Sequence, residues 1–518
     1  MPGSGFPLVC SFCFVGLCSA FHSPLLFPPG SLKIHAPHAN LPWTRLPASR
    51  PRLNHQQHDQ RWLPCRMKSE LTESRDAVET DGKQVMVEAS TETSAGSVMG
   101  GALLFAGTAI GAGMLALPAE TAAAGYLPSQ ACLFGCWLFT YVSSLITLQA
   151  TWIARQRKLD GDDCTGFLSV ATELLGSRGR ISILFLFWFL LTAIIVAYTS
   201  EGSRLLTLGA SWLGFQGIPE YIGCSIFLLL FASISVAGTR IVDSINRWLC
   251  GGLIVSFVSL VNFGLPMIRA ENLQHADWNA VWPYGISVGI LSFGGQNVVP
   301  TILDYLGGDM KRARQAVLYG TLIPLAVYSV WEVVFLGIIP QGAAASKEDI
   351  VHALGPAAGN GVIQALVTAF SVFAITSSMA GASASFIDFW QDSISSISAG
   401  LSSSSRRLLA AALALSPPFF IALQFKGVFL RALENAGLIG GLSLYGIFPA
   451  FALLSYGSRK LQGEQLGDSW EAQLRKQTGG SLLDRIFLNR FALLAVVVGS
   501  SFLLLSELLR LLLASHLL

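Results

Sequence analysis

The chain has 518 residues, 52% of them hydrophobic and 12% charged, with a formal net charge of +2 and a mean hydropathy of +0.56. A soluble protein of this size carries more charge, so a soluble enzyme is excluded. A net charge this small gives no reason to expect a nucleic-acid partner.

Residues 1–20 form a short apolar stretch ending Leu17-Cys-Ser-Ala20, suited to signal cleavage although no Lys or Arg precedes it. Residues 21–66 carry six cations against the single acid Asp59 and are rich in Pro and His, the composition of a transit peptide. The junction Cys18-Ser-Ala-Phe21 resembles the Ala-Phe cleavage motif of bipartite presequences in algae with complex plastids. An ordinary transit peptide and a disordered cytosolic tail are the alternatives. Residues 67–95 read as a mixed-charge, disordered lead-in. The expected address is therefore a plastid (chloroplast) membrane, the inner envelope first. Cys10-Ser-Phe-Cys13 has the spacing of a redox or metal pair, but no second pair or His cluster accompanies it, and it reads as small apolar filler.

From residue 96 to 518 the chain reads as one membrane domain. Eleven apolar runs are long enough to span a bilayer, near 97–118, 130–153, 183–208, 220–237, 246–267, 282–304, 315–339, 361–386, 407–424, 433–457 and 490–513. If the segment before 97 is inside, eighteen cations fall in inner loops and six on the outer side. That bias supports the count of eleven, because one missed helix would scramble it. The inner loop 458–489 is polar and carries a candidate interfacial helix (Trp470, Leu474, Leu482, Leu483, Ile486).

Spans 1–5 (97–267) and 6–10 (282–457) form two repeats. An odd-numbered repeat inserts its second copy upside down, and 490–513 is an extra helix. The first span of each repeat is interrupted by glycine: Gly107-Thr-Ala-Ile-Gly111-Ala-Gly113-Met-Leu-Ala-Leu-Pro118, and Ser292-Phe-Gly294-Gly295-Gln296-Asn297-Val-Val-Pro300. A helix broken at mid-depth exposes main-chain polar groups that lipid cannot satisfy, so they must line a cavity or a solute. Gly107, Gly111 and Gly113 let backbone N–H groups, with Ala112 between them, approach a carboxylate at the positive end of the next half-helix, and Thr108 adds a hydroxyl. Gly294-Gly295, after Phe293, frees carbonyls for an ammonium, and Ser292, Gln296 and Asn297 add polar side chains. The pair of poles suits a zwitterionic amino acid. Gly107-x-x-x-Gly111 is also a packing motif; it is the two segments at matching positions that point to a site.

The first string, followed by Gly125-Tyr-Leu-Pro128, resembles the first-helix signature of the tryptophan/tyrosine-specific permeases, within the amino acid–polyamine–organocation superfamily. The second, with Tyr305-Leu-Gly-Gly-Asp309, and Ile323-Pro-Leu-Ala-Val-Tyr328-Ser-Val-Trp-Glu332 resemble that family's sixth and seventh helices. The resemblance covers about 97–513. It implies an all-α polytopic membrane protein of about eleven transmembrane helices, a five-plus-five inverted repeat of the LeuT-like kind plus one helix. It also implies alternating-access, proton-coupled uptake of an aromatic amino acid, tyrosine or tryptophan. Bacterial members usually carry His where this chain has Gln296; Gln does not titrate near neutral pH, so that position carries no proton. The Gly-Gln-Asn form looks more like the family's plastid branch.

Intramembrane acids are costly and usually functional. Glu332 lies deepest and is the first proton-coupling candidate; Glu120, after Pro118 at the outer mouth, is a candidate gate. Asp243 and Asp304 are expected to pair with inner-loop cations. The hydroxyls of span 8, Thr376-Ser377-Ser378 through Ser383 and Ser385, line a cation site in sodium-coupled relatives of the fold. A sodium-coupled neutral amino acid carrier is therefore the alternative. An ion channel is the alternative of another class, but it needs a continuous polar stripe, which is lacking. No His, Cys or acid cluster supports an enzyme, a metal site or a cofactor; the proton gradient supplies the energy. The expected partners are a small amino acid and the lipid bilayer.

Overall fold

The computed structural model describes residues 96–157, 166–215, 217–280, 284–339, 354, 359, 361–394, 402–424, 428–461 and 490–516. The chain divides into two units, residues 1–22 with 93–518, and residues 23–92; every described residue belongs to the first. The presequence, the Cys10–Cys13 pair and the 462–489 segment lie outside the described residues.

Every described element is helical. Span 1 is α1 (Val98–Ala109) plus α2 (Gly113–Thr121), span 2 is α3 (Tyr126–Arg157), span 3 is α4 (Phe167–Trp212), span 4 is α5 (Glu220–Ala237) and span 5 is α6 (Thr239–Gly264). Span 6 is α7 (Tyr284–Ser292) plus α8 (Val299–Tyr305), span 7 is α9 (Met310–Ile338), span 8 is α10 (Gly361–Ile394) and span 9 is α11 (Ser403–Gln424). Span 10 is α12 (Phe429–Asn435), a π-helix (Ala436–Ile447) and α13 (Phe448–Leu461); α14 (Arg490–His516) follows. Nine of these spans are long and apolar enough to cross a membrane by themselves, and the bent α1–α2 pair makes a tenth. α14 contributes a shorter apolar stretch, Phe491–Ser506. The chain is a multi-pass membrane protein.

Local chemistry sets the ends. Ser97 caps α1 by accepting from the Gly100 N–H (2.9 Å), and Asp309 caps α9 by accepting from Lys311 (2.9 Å) and Arg312 (3.2 Å). α4 starts earlier than the expected span because two helices meet at Gly176, whose φ of +70° only glycine adopts without strain. Its first turns run before the bilayer run proper. The long π-helix in span 10 is not visible in its apolar pattern.

The packing is that of an inverted repeat. α1 lies on α9 (span 1 on 7), and its counterpart α7 lies on α3 (span 6 on 2). α6 lies on α10 (5 on 8), mirrored by the π-helix on α4 (10 on 3). α2 and α7 meet at the centre. One pairing breaks the symmetry. α7 packs against α12 and the π-helix, so closely that a Cβ on Gly437 would collide with the Ser287 carbonyl. No comparable packing joins α1 to α6 among the described residues, and Gly107 and Thr108 of α1 are exposed.

The connection after α6 folds against the neighbouring helices. Arg269 N–H and the Asn272 amide both donate to the Gly337 carbonyl at 2.9 Å, and Asp277 N–H donates to Ala124 at 2.8 Å. Gly125, with φ +83°, sits against the His275 carbonyl, so a side chain there is excluded twice over. At the inner end, Gly96 N–H donates to Tyr305 (2.9 Å), Arg312 donates to the Gly96 carbonyl, and Arg155 pairs with Asp304. The expected pairing of Asp304 with an inner cation is thus present. That of Asp243 is not: no ion pair reaches it among the described residues, and its carboxylate lies at the half-exposed start of α6.

Candidate functional site

The site is built where α1, α2, α7 and α8 stop. α1 ends at Ala109; Ile110 turns extended (φ −75°, ψ 108°), and α2 restarts at Gly113 with its axis bent by 59°. Span 6 is interrupted at Phe293–Gly295, followed by one 3₁₀ turn, Gln296–Val298, before α8; it bends less than span 1. The two breaks face each other. A Cβ on Gly113 would lie 3.1 Å from Ser292 Cα and 2.9 Å from its Oγ, closer than ordinary contact. A Cβ on Gly295 would meet the Phe105 ring at 2.7 Å, and one on Gly111 would meet Ser378 Oγ at 2.5 Å. Gly113 lets the two main chains approach, while Gly295 and Gly111 leave room for the Phe105 ring and the Ser378 hydroxyl.

Two hydroxyls from neighbouring spans complete the arrangement. Tyr328 of α9, fully buried, donates toward both the Ala109 carbonyl (2.8 Å) and the Ser292 carbonyl (2.7 Å). These are the last carbonyls of α1 and α7, the negative ends of two half-helices. Ser378 of α10 accepts from the Ala112 N–H (2.9 Å) at the positive end of α2. Trp331 donates to the Met114 carbonyl (2.9 Å) and fixes α2 from the other side. Carbonyl and N–H poles thus lie side by side at the breaks, within reach of groups no larger than a hydroxyl.

The expected residues divide. Gly111, Ala112, Gly113, Ser292, Gly295 and Gln296 lie at the breaks. Phe293 packs edge-on against Tyr328 (5.0 Å) and helps seat it. Gly294 sits between the Leu291 carbonyl and the Tyr445 ring. Gln296 accepts from Gly295 N–H (3.0 Å), while among the described residues no partner reaches its buried Nε2 or Oδ1 of Asn297. Unpartnered buried amides at a helix break are groups awaiting a ligand or a water. Gly107 instead lies within α1, with nothing within 4 Å of its would-be Cβ among the described residues. The Thr108 hydroxyl donates to Leu104 of its own helix (2.9 Å), so neither touches the break.

Glu332 is fully buried one turn beyond Tyr328. Its two oxygens lie 3.0 and 3.1 Å from the Thr121 hydroxyl, which also bonds the Leu117 carbonyl at 2.8 Å. Thr121 owns one proton. That proton is shared between the Leu117 carbonyl and the two Glu332 oxygens, toward all of which the hydroxyl is placed to donate. No cation pairs with Glu332 among the described residues. Glu120 is 2% exposed rather than open at a mouth, because α2 carries it into the interface with its neighbours. Trp331 is locked among Phe370 (5.1 Å), Phe335 (5.6 Å) and Phe257 (6.4 Å) and serves the wall of the site. In span 8, Thr376 and Ser377 donate to their own helix and Ser383 pairs with Ser235 (2.8 Å), leaving Ser378 as the hydroxyl at the break.

Sequence reasoning missed Tyr328 as a site residue and named Ser378 only within the span 8 hydroxyl run, as a candidate for a cation site. The signal for Tyr328 was its place one turn before Trp331-Glu332 in a span opposite both glycine strings. For Ser378 it was a hydroxyl run diluted by neighbours that bond their own helix.

A multi-pass helical membrane protein whose two inverted repeats each open on a broken helix belongs to the carrier-type architectures. The tryptophan/tyrosine permease family profile matches residues 94–466, and the chain belongs to that family. It is 29% identical over 348 residues to "Tyrosine-specific transport system 2" of Haemophilus influenzae, covering 66% of this chain and 83% of that one. It is 30% identical over 396 residues to a "Tryptophan-specific transport protein" of Pseudomonas aeruginosa, covering 74% and 91%. Among solved structures, a nucleobase-cation-symport-1 family transporter with bromovinylhydantoin bound is similar at 14% identity, TM-score 0.49, covering 78% of this chain and 91% of that one.

Proposed function

We propose that the protein is a secondary active transporter of aromatic amino acids, tyrosine or tryptophan, working by proton symport and alternating access. The observation that carries this reading is the single phenol that reaches both half-helix carbonyls at 2.8 and 2.7 Å. Two acceptors within reach of one atom are also within reach of one ammonium, and the Ala112 N–H beside them suits the carboxylate of the same molecule. The named specificities of the two bacterial relatives favour an aromatic side chain. The outer closure by α7, α12 and the π-helix, without its mirror at α1 and α6, supports an inward-open member of a pair of states. Glu332 is the proton carrier in this reading, because it is a fully buried carboxyl with no cation paired to it among the described residues. The amino-terminal 95 residues act as a plastid address, a reading that rests on their composition.

The test is uptake of labelled tyrosine, tryptophan and phenylalanine into proteoliposomes, with and without an inward pH gradient. At least one of the three should accumulate with the gradient and show counterflow without it. Replacing sodium by choline should change nothing, whereas dependence on sodium would favour the sodium-coupled alternative. Glu332→Gln should retain counterflow and lose the response to the gradient. Flux without trans-stimulation would favour a channel and overturn the reading.

A further inference from the structure

Two polar poles at a helix break must be satisfied whenever the site is shut away from water, whether or not it holds a solute. A loaded carrier has the solute for this purpose; an empty carrier returning across the membrane has none. The structure contains a group placed for the second case. The Tyr328 hydroxyl lies at hydrogen-bond distance from both carbonyl ends, Ala109 (2.8 Å) and Ser292 (2.7 Å), where an ammonium would bond. The Ser378 hydroxyl takes the Ala112 N–H (2.9 Å), where a carboxylate would bond. The phenol is held in place by the edge-on Phe293 ring at 5.0 Å and by complete burial.

We propose that Tyr328, with Ser378 at the other pole, is a self-ligand that stands in for the substrate's charged ends and lets the empty carrier reorient. This rests on the amino acid carrier reading of the same site. The phenol has one proton for two carbonyls, so it binds the breaks more weakly than an ammonium, with three. A substrate therefore displaces it rather than competing on equal terms. Tyr328 and Ser378 are positioning residues: they act on the broken main chain, which then meets the solute.

Transport modes separate this role from a structural one. Net uptake requires the empty carrier to return at each cycle; exchange of internal for external amino acid does not. Tyr328→Phe keeps the ring and removes the hydroxyl. In proteoliposomes, net uptake of tyrosine by Tyr328→Phe should fall about tenfold further than exchange, the fold-change carried by roughly one neutral hydrogen bond. Ser378→Ala, which leaves the phenol intact, should shift the same ratio in the same direction, and it serves if Tyr328→Phe fails to insert. Trp331→Phe, which removes a bond to α2 away from the two poles, should lower both modes alike. Equal loss of net uptake and exchange in both Tyr328→Phe and Ser378→Ala would overturn the proposal while leaving the carrier reading standing. A wild-type protein that exchanges none of the three aromatic amino acids would instead remove the reading on which it rests.

Discussion

Gly113→Ala is the sharpest perturbation of the paired breaks. The added methyl would lie 2.9 Å from Ser292 Oγ, 3.1 Å from Ser292 Cα and 3.3 Å from its Cβ. Carbon atoms in good contact sit about 3.5–4.0 Å apart, and the Cα belongs to the opposing main chain, which has no rotamer to yield. The two half-helices must part by about half an ångström. Overpacking of this kind costs about 1–3 kcal/mol. If that cost falls on the state in which both breaks hold one solute, binding weakens about 5- to 150-fold. The separation also stretches the Tyr328 bridge, which reaches carbonyls on both sides. The assay is the initial rate of labelled tyrosine uptake per inserted protein, with Gly135→Ala as control, since nothing lies within 4 Å of a Cβ at Gly135. Gly111→Leu, whose first carbon would already meet Ser378 Oγ at 2.5 Å, should abolish uptake while the protein still inserts. A Gly113→Ala protein that takes up tyrosine as fast as the Gly135→Ala control would refute the claim that the two breaks share a ligand.

Two further outcomes follow from the packing. Gly320→Ala would place a methyl 2.7 Å from Phe105 Cβ and 2.9 Å from the Ala102 carbonyl, so α1 and α9 must separate; unfolding in detergent should show a loss of about 1–3 kcal/mol. The buried Ser235–Ser383 bond (2.8 Å) links α5 to α10, and a double-mutant cycle with alanine at each should give a coupling of about 0.6 kcal/mol and not above about 1.7, the range for hydroxyl pairs in membrane helices.

Much of this arrangement was legible in the residues. Length and apolarity located the spans, and the glycines at 111, 113 and 295 marked the tight contacts at the breaks, because a missing side chain is a direct statement about space. Other features were hidden for physical reasons. Gly107 and Thr108 belong to the same string, yet helical periodicity carries Gly107 away from the break and Thr108 spends its hydroxyl on its own backbone. The π-helix in span 10 leaves no trace in an apolar run, because a wider helix needs no change in hydropathy. Tyr328 and Ser378 reach the breaks from spans 7 and 8, more than two hundred residues from α1, and only the fold brings them there. Glu332 stood out as the deepest acid, but its partner Thr121 could not be read from spacing.

The central claim is that the broken main chain holds both charged ends of one amino acid. The direct measurement is competition against labelled tyrosine in counterflow by three unlabelled compounds: phenylalanine, N-acetyltyrosine and tyrosine methyl ester. Phenylalanine keeps both ends and should compete; the acetylated compound lacks the ammonium and the ester lacks the carboxylate, so neither should compete even in large excess. If either modified compound competes as well as tyrosine itself, the grip at that pole is absent and the account is contradicted.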